Sequence, residues 1–168
     1  MFNIQLMAKL TPREFTRITH QTTPIAALFG FRAERLGGGT CTVRVPFRAE
    51  FTRDGGTVAG PILMAVADYA LYGAVMSVVS NGDKAVTASL NTVFLRRPTP
   101  RDVIGEARLL RCGKRLAHGE VFLYSEGDAE PVAHVTATYS IPAQAKQPKL
   151  PQVLERTKIS RSYFNTAK

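Results

Sequence analysis

The feature that most restricts how this chain can fold is an apolar run near its middle, residues 61–79, which reads PILMAVADYALYGAVMSVV. Its only charged residue is Asp68. The length would permit a membrane span, but a carboxylate near the centre of a span costs about 2.5–3.5 kcal/mol. The run is also the only one of its kind in the chain, and strand patterns flank it. A helix surrounded by a sheet needs the same all-round apolar character, so the run predicts a buried helix and no membrane span.

Period-2 alternation on both sides of this run predicts six strands, over residues 31–36, 41–47, 86–95, 103–111, 115–124 and 132–141. Short strands joined by turns favour an antiparallel sheet. Gly37-Gly38-Gly39 precedes a strand and not a helix, so it predicts a hairpin turn in preference to a phosphate-binding loop. Thr11, Pro12 and Glu14 form a capping-box pattern that predicts a helix over 12–20, and residues 24–29 form a second short turn. One sheet curled around one helix is the simplest packing of these parts.

The length of 168 residues fits one domain. The sequence divides into an N-terminal helical segment (1–24), the main domain (25–142) and a basic tail (143–168). The tail holds six Lys or Arg against Glu155 alone, and so carries +5 of the net charge of +9. Such a tail can touch nucleic acid or a membrane surface or be a solvated extension. It has no aromatic interleaving, which disfavours nucleic acid.

Cysteine and histidine are sparse, which bears on metal binding and on compartment. Cys41 and Cys112 form no CxxC pair, and His20, His118 and His134 have no ligand spacing, so we expect no metal site. Two lone cysteines fit a reducing compartment. The N-terminus lacks the basic start and apolar stretch of a signal peptide. A cytoplasmic location is therefore expected.

Asp68 is the first residue that could carry chemistry. A lone carboxylate on an apolar helix is costly to bury in its charged form. It can be structural, capping a neighbouring element or pairing with an arginine of another subunit. It can also be a base or nucleophile whose pKa is tuned by partial burial.

The start of the same helix is the second candidate. Gly60 falls near the N-cap and Pro61 at the first helical position, and free N–H groups at such an end can stabilise an oxyanion. An ordinary Gly-Pro helix start explains the pattern equally well. Because Gly60 and Asp68 are roughly 10 Å apart along one helix, one carbonyl can reach both only if a second subunit contributes one of them. Serine-hydrolase, dinucleotide and P-loop motifs are absent from the sequence.

Three stretches, TVAGPILMAVADYALYGAVMS, AVTASLNTVFLRRP and LLRCGKRLAHGEV, resemble the PaaI-like thioesterases of phenylacetic acid degradation. The resemblance covers residues 25–142. It implies an α+β hotdog fold, in which an antiparallel sheet wraps one long central helix. The central helix of that family usually opens with His-Gly-Gly, with an acid nine positions after the His and an Asn six before it. Here those positions hold Ala59, Asp68 and Arg53.

The resemblance also implies roles for single residues. Gly60 polarises the thioester carbonyl, Asp68 of the other subunit activates water or attacks directly, and Thr87 places the water. Arg53 and Ala59, which replace the family's Asn and His, are expected to influence substrate choice, since Arg53 could meet an anionic acyl group. The basic residues that could hold the phosphates of coenzyme A are Arg96, Arg97, Lys114 and Arg115, since guanidinium forks suit phosphate.

The sequence therefore predicts an acyl-CoA thioesterase that acts as a homodimer or a dimer of dimers and uses no cofactor beyond the coenzyme A of its substrate. A non-catalytic acyl-CoA binding or sensing protein is the alternative, motivated by Ala59 and Arg53. A hotdog dehydratase is less favoured because no His lies near the central helix.

Overall fold

The computed structural model describes residues 10–80 and 82–143. Three α-helices lie in this part of the chain: α1 (Pro12–Thr22), α2 (Pro24–Phe29) and α3 (Gly60–Met76). The eight strands are β1 (Arg32–Gly37), β2 (Thr40–Val45), β3 (Thr52–Arg53), β4 (Thr57–Val58), β5 (Val86–Phe94), β6 (Val103–Cys112), β7 (Leu116–Ser125) and β8 (Ala133–Ser140). Short 3₁₀ turns occupy Ala49–Phe51 and Gly82–Lys84.

Six of the strands form one antiparallel sheet in the order β1-β2-β6-β7-β8-β5. The helix α3 packs against this sheet and contacts each of its strands. This arrangement confirms the predicted α+β architecture of a sheet around one long helix. Strands β1 and β5 are the two edges of the sheet, and each contains a bulge, at Ala33/Arg35 and at Thr87/Ser89.

The local chemistry explains the first helix and the first hairpin. The Thr11 hydroxyl accepts a hydrogen bond from the Glu14 N–H at 3.2 Å, and the Glu14 carboxylate accepts one from the Thr11 N–H at 3.0 Å. This is the predicted capping box. The β1–β2 turn is left-handed at its glycines, with φ of 58° at Gly38 and 80° at Gly39, which confirms the hairpin interpretation.

The helix α3 differs from its predicted bounds at both ends. Ala59 is the N-cap, so Gly60 is the first helical residue and Pro61 the second, one position earlier than expected. The helix ends at Met76 because the chain then tightens into a turn, in which the Val78 N–H donates to the Val75 carbonyl at 3.1 Å. The β3–β4 hairpin was not predicted, since two residues a side are too few to show alternation.

The sheet covers α3 only in part. Eleven of its residues are buried, but one stripe at helical spacing stays open or half-open: Pro61, Met64, Ala65, Asp68 and Tyr72. The neighbouring edge strand β5 also exposes apolar side chains, with Val86, Val93 and Phe94 each more than half exposed. The exposed edge of β5 and the open stripe of α3 therefore form one incompletely covered surface, which we call the α3–β5 face.

The N-terminal helix shares the main core. Phe15 of α1 is fully buried, and its ring lies 5.1 Å from that of Tyr69 on α3. The division of the chain at 24/25 stays a prediction, and the basic tail lies outside the described residues apart from Ala143. Within the described ranges no helix is long and apolar enough to cross a membrane.

Candidate active site

Asp68 lies on the open stripe of α3 and is held by two hydroxyl groups. The Thr87 Oγ1 donates to Asp68 Oδ1 at 2.7 Å. The Tyr139 hydroxyl also donates to Oδ1 at 2.7 Å, and it lies 2.8 Å from the main-chain oxygen of Asp68. The carboxylate is half-buried. The charge that was costly to bury is therefore stabilised by hydrogen bonds from two strands and remains accessible at one side.

A bulge in β5 brings Thr87 to the site. Leu90 and Thr92 pair with the buried Ala137 and Val135, so even-numbered residues of β5 face the helix. Strict alternation would then turn Thr87 outward. The register shift between Thr87 and Ser89 pairs Thr87 with the inward-facing Tyr139 instead, which is the kind of re-aiming that bulges provide beside functional sites.

Tyr139 is 2% exposed and lies on the central-helix face of β8. Burial raises the pKa of its hydroxyl well above the usual range, and the adjacent Asp68 carboxylate raises it further. The hydroxyl therefore keeps its proton and acts as a donor to Asp68 at any pH near neutrality. Sequence reasoning did not single out Tyr139. The sequence does contain one signal that could have identified it. Tyr139 stands at an inward-facing position of β8, where the other inward residues are small or aliphatic.

Asp68 opens into a cleft of about 430 Å³. Its walls are mostly apolar and aromatic, and come from α2, α3 and the start of β5: Ile25, Ala26, Phe29, Phe31, Ala65, Tyr69, Tyr72, Ala85 and Val86. A second carboxylate, Asp83, lines the same cleft, and the Tyr72 hydroxyl donates to the Asp83 carbonyl at 3.3 Å. Both charged groups of the cleft are thus acidic.

The N-terminus of α3 presents one free backbone donor. Ala59 provides no side-chain cap, Pro61 has no N–H, and the Ile62 N–H donates to the Ala59 carbonyl at 3.0 Å. In the part of the chain that the structure describes, the Gly60 N–H has no acceptor. The ring of Phe94 packs over Gly60, and a Cβ at this position would lie 3.1 Å from its Cζ atom. The donor therefore lies at the bottom of a narrow site beside an aromatic ring.

Three of the predicted basic residues gather around Gly60. Arg53, Arg96 and Arg97 line a pocket of about 360 Å³ that also includes Gly60 and Phe94. Arg96 forms an ion pair with Glu130, whereas Arg53 and Arg97 have no ion pair among the described residues. The lining holds these three arginines against one carboxylate, Asp54. Together with the helix N-terminus, this excess of positive charge favours an anion.

Lys114 and Arg115 do not join this pocket. They line a separate groove of about 670 Å³ near the C-terminal end of α3, together with Val79 and Ile141. The basic residues predicted to hold phosphates therefore lie at two separate places on this chain, and their contact with coenzyme A stays a prediction.

The two predicted catalytic residues of α3, Gly60 and Asp68, are also far from each other. Gly60 and Asp68 are eight positions apart on α3, about 12 Å along the axis, and their pockets share no lining residue. Across residues 10–80 and 82–143 no cluster of His, Cys, Asp or Glu could hold a metal ion. The described chain thus has a hydrogen-bonded carboxylate at one place and a backbone N–H without an acceptor at another.

Comparison with solved structures decides the family. A candidate thioesterase from Silicibacter sp. TM1040 is 35% identical to this chain, superposes with a TM-score of 0.70, and is matched over 92% of its length and 79% of this chain. The chain belongs to the thioesterase superfamily. The profile of that superfamily matches residues 55–132, which include Gly60, Asp68 and Thr87.

Two further similar proteins support the resemblance. A variant of the phenylacetic acid degradation protein PaaI from Thermus thermophilus is 28% identical, with a TM-score of 0.62, over 71% of this chain and 99% of that chain. A candidate esterase of Thermoplasma acidophilum is 26% identical over 111 residues, 66% of this chain and 83% of the relative. The hotdog fold and the relation to PaaI-like proteins, both expected from the sequence, are confirmed.

Proposed function

We propose that the protein hydrolyses the thioester bond of acyl-coenzyme A, giving the free acid and coenzyme A. The observation that carries the proposal is the Asp68 carboxylate, which two hydroxyl groups hold at the open side of an apolar cleft. A half-buried carboxylate in such a cleft is suited to act on water or a carbonyl carbon, and membership of the thioesterase superfamily supports thioester chemistry.

The working site is formed by two subunits related by a twofold axis. The α3–β5 face leaves apolar side chains and one sheet edge uncovered, which a second copy would cover. Thr87, beside Asp68, is at the start of β5, and Phe94, over Gly60, is at its end. Antiparallel pairing of β5 with its symmetry copy sets the start of one strand against the end of the other. Asp68 of one subunit then meets Gly60 of the next.

The same pairing reunites the basic residues. Leu116, next to Lys114 and Arg115 in the chain, and Val86 of β5 both pair with Ser140, so this basic turn lies two strands from the start of β5. Arg96 and Arg97 follow the end of β5. A twofold axis through the middle of β5 would gather both groups along one seam, where they can bind the phosphates of coenzyme A. Arg53 adds to that charge beside Gly60.

The acyl group occupies the cleft of the other subunit. Its aromatic and aliphatic walls suit an uncharged acyl group, and Asp68 and Asp83 repel a terminal carboxylate. Ala59 sits at the helix start without a side chain that could reach the thioester. Its small size leaves room there for the bound sulfur and carbonyl.

The chemistry needs one water molecule and no cofactor. The Thr87 hydroxyl gives its hydrogen to Asp68, so its oxygen remains free to accept a hydrogen bond from that water. Asp68 takes a proton from the water as the water oxygen bonds to the thioester carbon. The carbonyl oxygen becomes an oxyanion that the Gly60 N–H stabilises. When the C–S bond breaks, the departing thiolate recovers the proton from Asp68, which returns the carboxylate to its starting state.

A non-catalytic acyl-CoA binding protein is the second candidate. It is favoured by Ala59 and Arg53, which stand where the resemblance to PaaI-like thioesterases leads us to expect His and Asn. Such a protein would be stabilised by coenzyme A but would release no thiol.

Thiol release from a panel of acyl-CoAs, with short, long, aromatic and carboxylate-ended acyl groups, tests the proposal. Wild type should turn over at least one neutral substrate, and Asp68→Asn should reduce its kcat by about 100-fold or more. Asn keeps an oxygen that can accept from Thr87 and Tyr139 and removes only the base. Glu106→Gln, a matched change on the outer face of the sheet, should have no effect. Thermal stabilisation by coenzyme A without thiol release would instead establish the binding protein.

A further inference from the structure

The two oxygens of the Asp68 carboxylate are not equivalent. Oδ1 accepts from both Thr87 and Tyr139 at 2.7 Å. Among the described residues, Oδ2 has no hydrogen-bond donor. Asp68 lines the cleft. The oxygen without a donor, Oδ2, is therefore the one that is available to a bound substrate.

From this asymmetry, and on the basis of the proposed function, we infer that Oδ2 is the oxygen that reacts and that Tyr139 is the positioning residue that presents it. A carboxylate has no hydrogen, so Thr87 and Tyr139 are the donors in both contacts. With two donors directed at it, Oδ1 has little remaining capacity to take a proton. The proton removed from water is therefore received by Oδ2 and returned from it to the thiolate.

Tyr139 is better placed than Thr87 to fix this geometry. Its hydroxyl lies within hydrogen-bond distance of both the main-chain oxygen and Oδ1 of Asp68, at 2.8 Å and 2.7 Å. The Tyr139 hydroxyl thus links the Asp68 carboxylate to the Asp68 main chain, and so restricts rotation of the Asp68 side chain. The ring is fully enclosed between α3 and the sheet, stacked 6.4 Å from that of Tyr72. Thr87, by contrast, lies on the exposed edge strand.

We call the two contacts from the Tyr139 hydroxyl to Asp68 the clamp. Loss of the clamp should slow catalysis more than it weakens binding, because Tyr139→Phe keeps the ring that lines the cleft and removes only the hydroxyl that holds Asp68. In Tyr139→Phe we expect kcat to fall about 10- to 100-fold, as small misplacements of a reacting group do, with KM changed less than about twofold. Thr87→Val should show the same kind of loss, and Thr87→Ser should retain most of the activity because it keeps the hydroxyl.

Two matched controls separate positioning from general damage. Tyr124→Phe removes a tyrosine hydroxyl from the outer side of β7. Thr92→Val removes a threonine hydroxyl from β5, one that is buried without a hydrogen-bond partner in the described structure. Both should keep wild-type kcat. Melting temperature and coenzyme A binding are measured for every variant to show that each is folded.

The outcomes distinguish this inference from the proposed function. If wild type is active, Asp68→Asn is inactive and Tyr139→Phe keeps kcat within about twofold of wild type, the positioning role is wrong and thioester hydrolysis stands. If wild type releases no thiol from any substrate, the proposed function fails. A crystal structure of Tyr139→Phe then decides whether Tyr139 fixes the Asp68 side chain. More than one Asp68 side-chain conformation supports the clamp, and a single unchanged conformation overturns it.

Discussion

The composite site predicts that two inactive variants restore activity when they share a dimer. One variant is Asp68→Asn, which lacks the base and keeps the oxyanion donor. The other is Gly60→Pro, which removes the one free N–H at the start of α3. Ala59 has φ −70° and ψ 143°, a conformation that a residue before proline adopts readily, so the backbone can accept the change. Loss of an oxyanion donor should reduce kcat by about 100- to 1,000-fold.

The size of the recovery follows from symmetry. In the proposed dimer each site takes Gly60 from one subunit and Asp68 from its partner, so a mixed dimer would contain one intact site and one doubly damaged site. Random exchange of equal amounts makes half of the dimers mixed. The mixture should therefore recover about one quarter of the wild-type activity per subunit, from parents that are each nearly inactive.

The assay is thiol release before and after joint refolding or co-expression of two differently tagged variants, with the mixed dimer quantified by tandem affinity purification. Gly60→Ala is the matched control. It places a Cβ against Phe94, as proline does, but keeps the N–H, and should retain most of the activity. Verified mixed dimers that are no more active than their parents would show that the site does not cross between subunits. A wild-type protein that is monomeric would refute the reasoning at an earlier step.

Three further predictions concern packing, charge and pH. Gly119→Ala should lower the free energy of unfolding in urea by about 1–3 kcal/mol, because the new Cβ would overlap Leu71 on α3 and lie 2.8 Å from a main-chain carbonyl oxygen. Arg53→Gln should raise KM for acyl-CoA about two- to fivefold, as expected for a solvent-exposed charge, with the difference shrinking at high salt and little change in kcat. Burial raises the pKa of the Cys41 thiol from 9.0 to about 12; the unfolded chain then binds fewer protons than the folded one above pH 9, so the free energy of unfolding should fall as pH rises from 9 toward 12. Cys41→Ala should weaken that dependence in urea titrations, and Cys112→Ser, at an exposed thiol, should not.

The periodicity of the apolar residues and the residues typical of turns were sufficient to predict most of the fold. The apolar run of residues 61–79 required a helix that is buried on nearly all sides. Alternation predicted the bounds of all six strands of the main sheet to within two residues. The helix start shifted by one position because Ala59, which has no capping side chain, serves as the N-cap. Such a shift is invisible in a sequence without a capping residue.

The site was less accessible to sequence reasoning. Asp68 could be identified because a single charge in an apolar helix needs a reason. Thr87 was expected at the site from the family resemblance alone, because the bulge at Thr87/Ser89 reverses the side-chain direction that alternation predicts. Tyr139 is seventy-one positions away in the chain and becomes relevant only through the pairing of β8 with β5. The distribution of the basic residues over two pockets likewise depends on tertiary structure alone.

The two edges of the sheet differ in their capacity to accept a further strand. Strand β1 exposes the charged residues Arg32, Glu34 and Arg35 and is interrupted by a bulge at Ala33/Arg35, features that discourage a further strand from adding. Strand β5 carries no charged residue and is largely exposed. In the proposed dimer, pairing through β5 would use the open edge of each copy and leave a continuous sheet that ends in β1 on both sides. A dimer built in this way would form its site by strand addition without offering a template for fibrils.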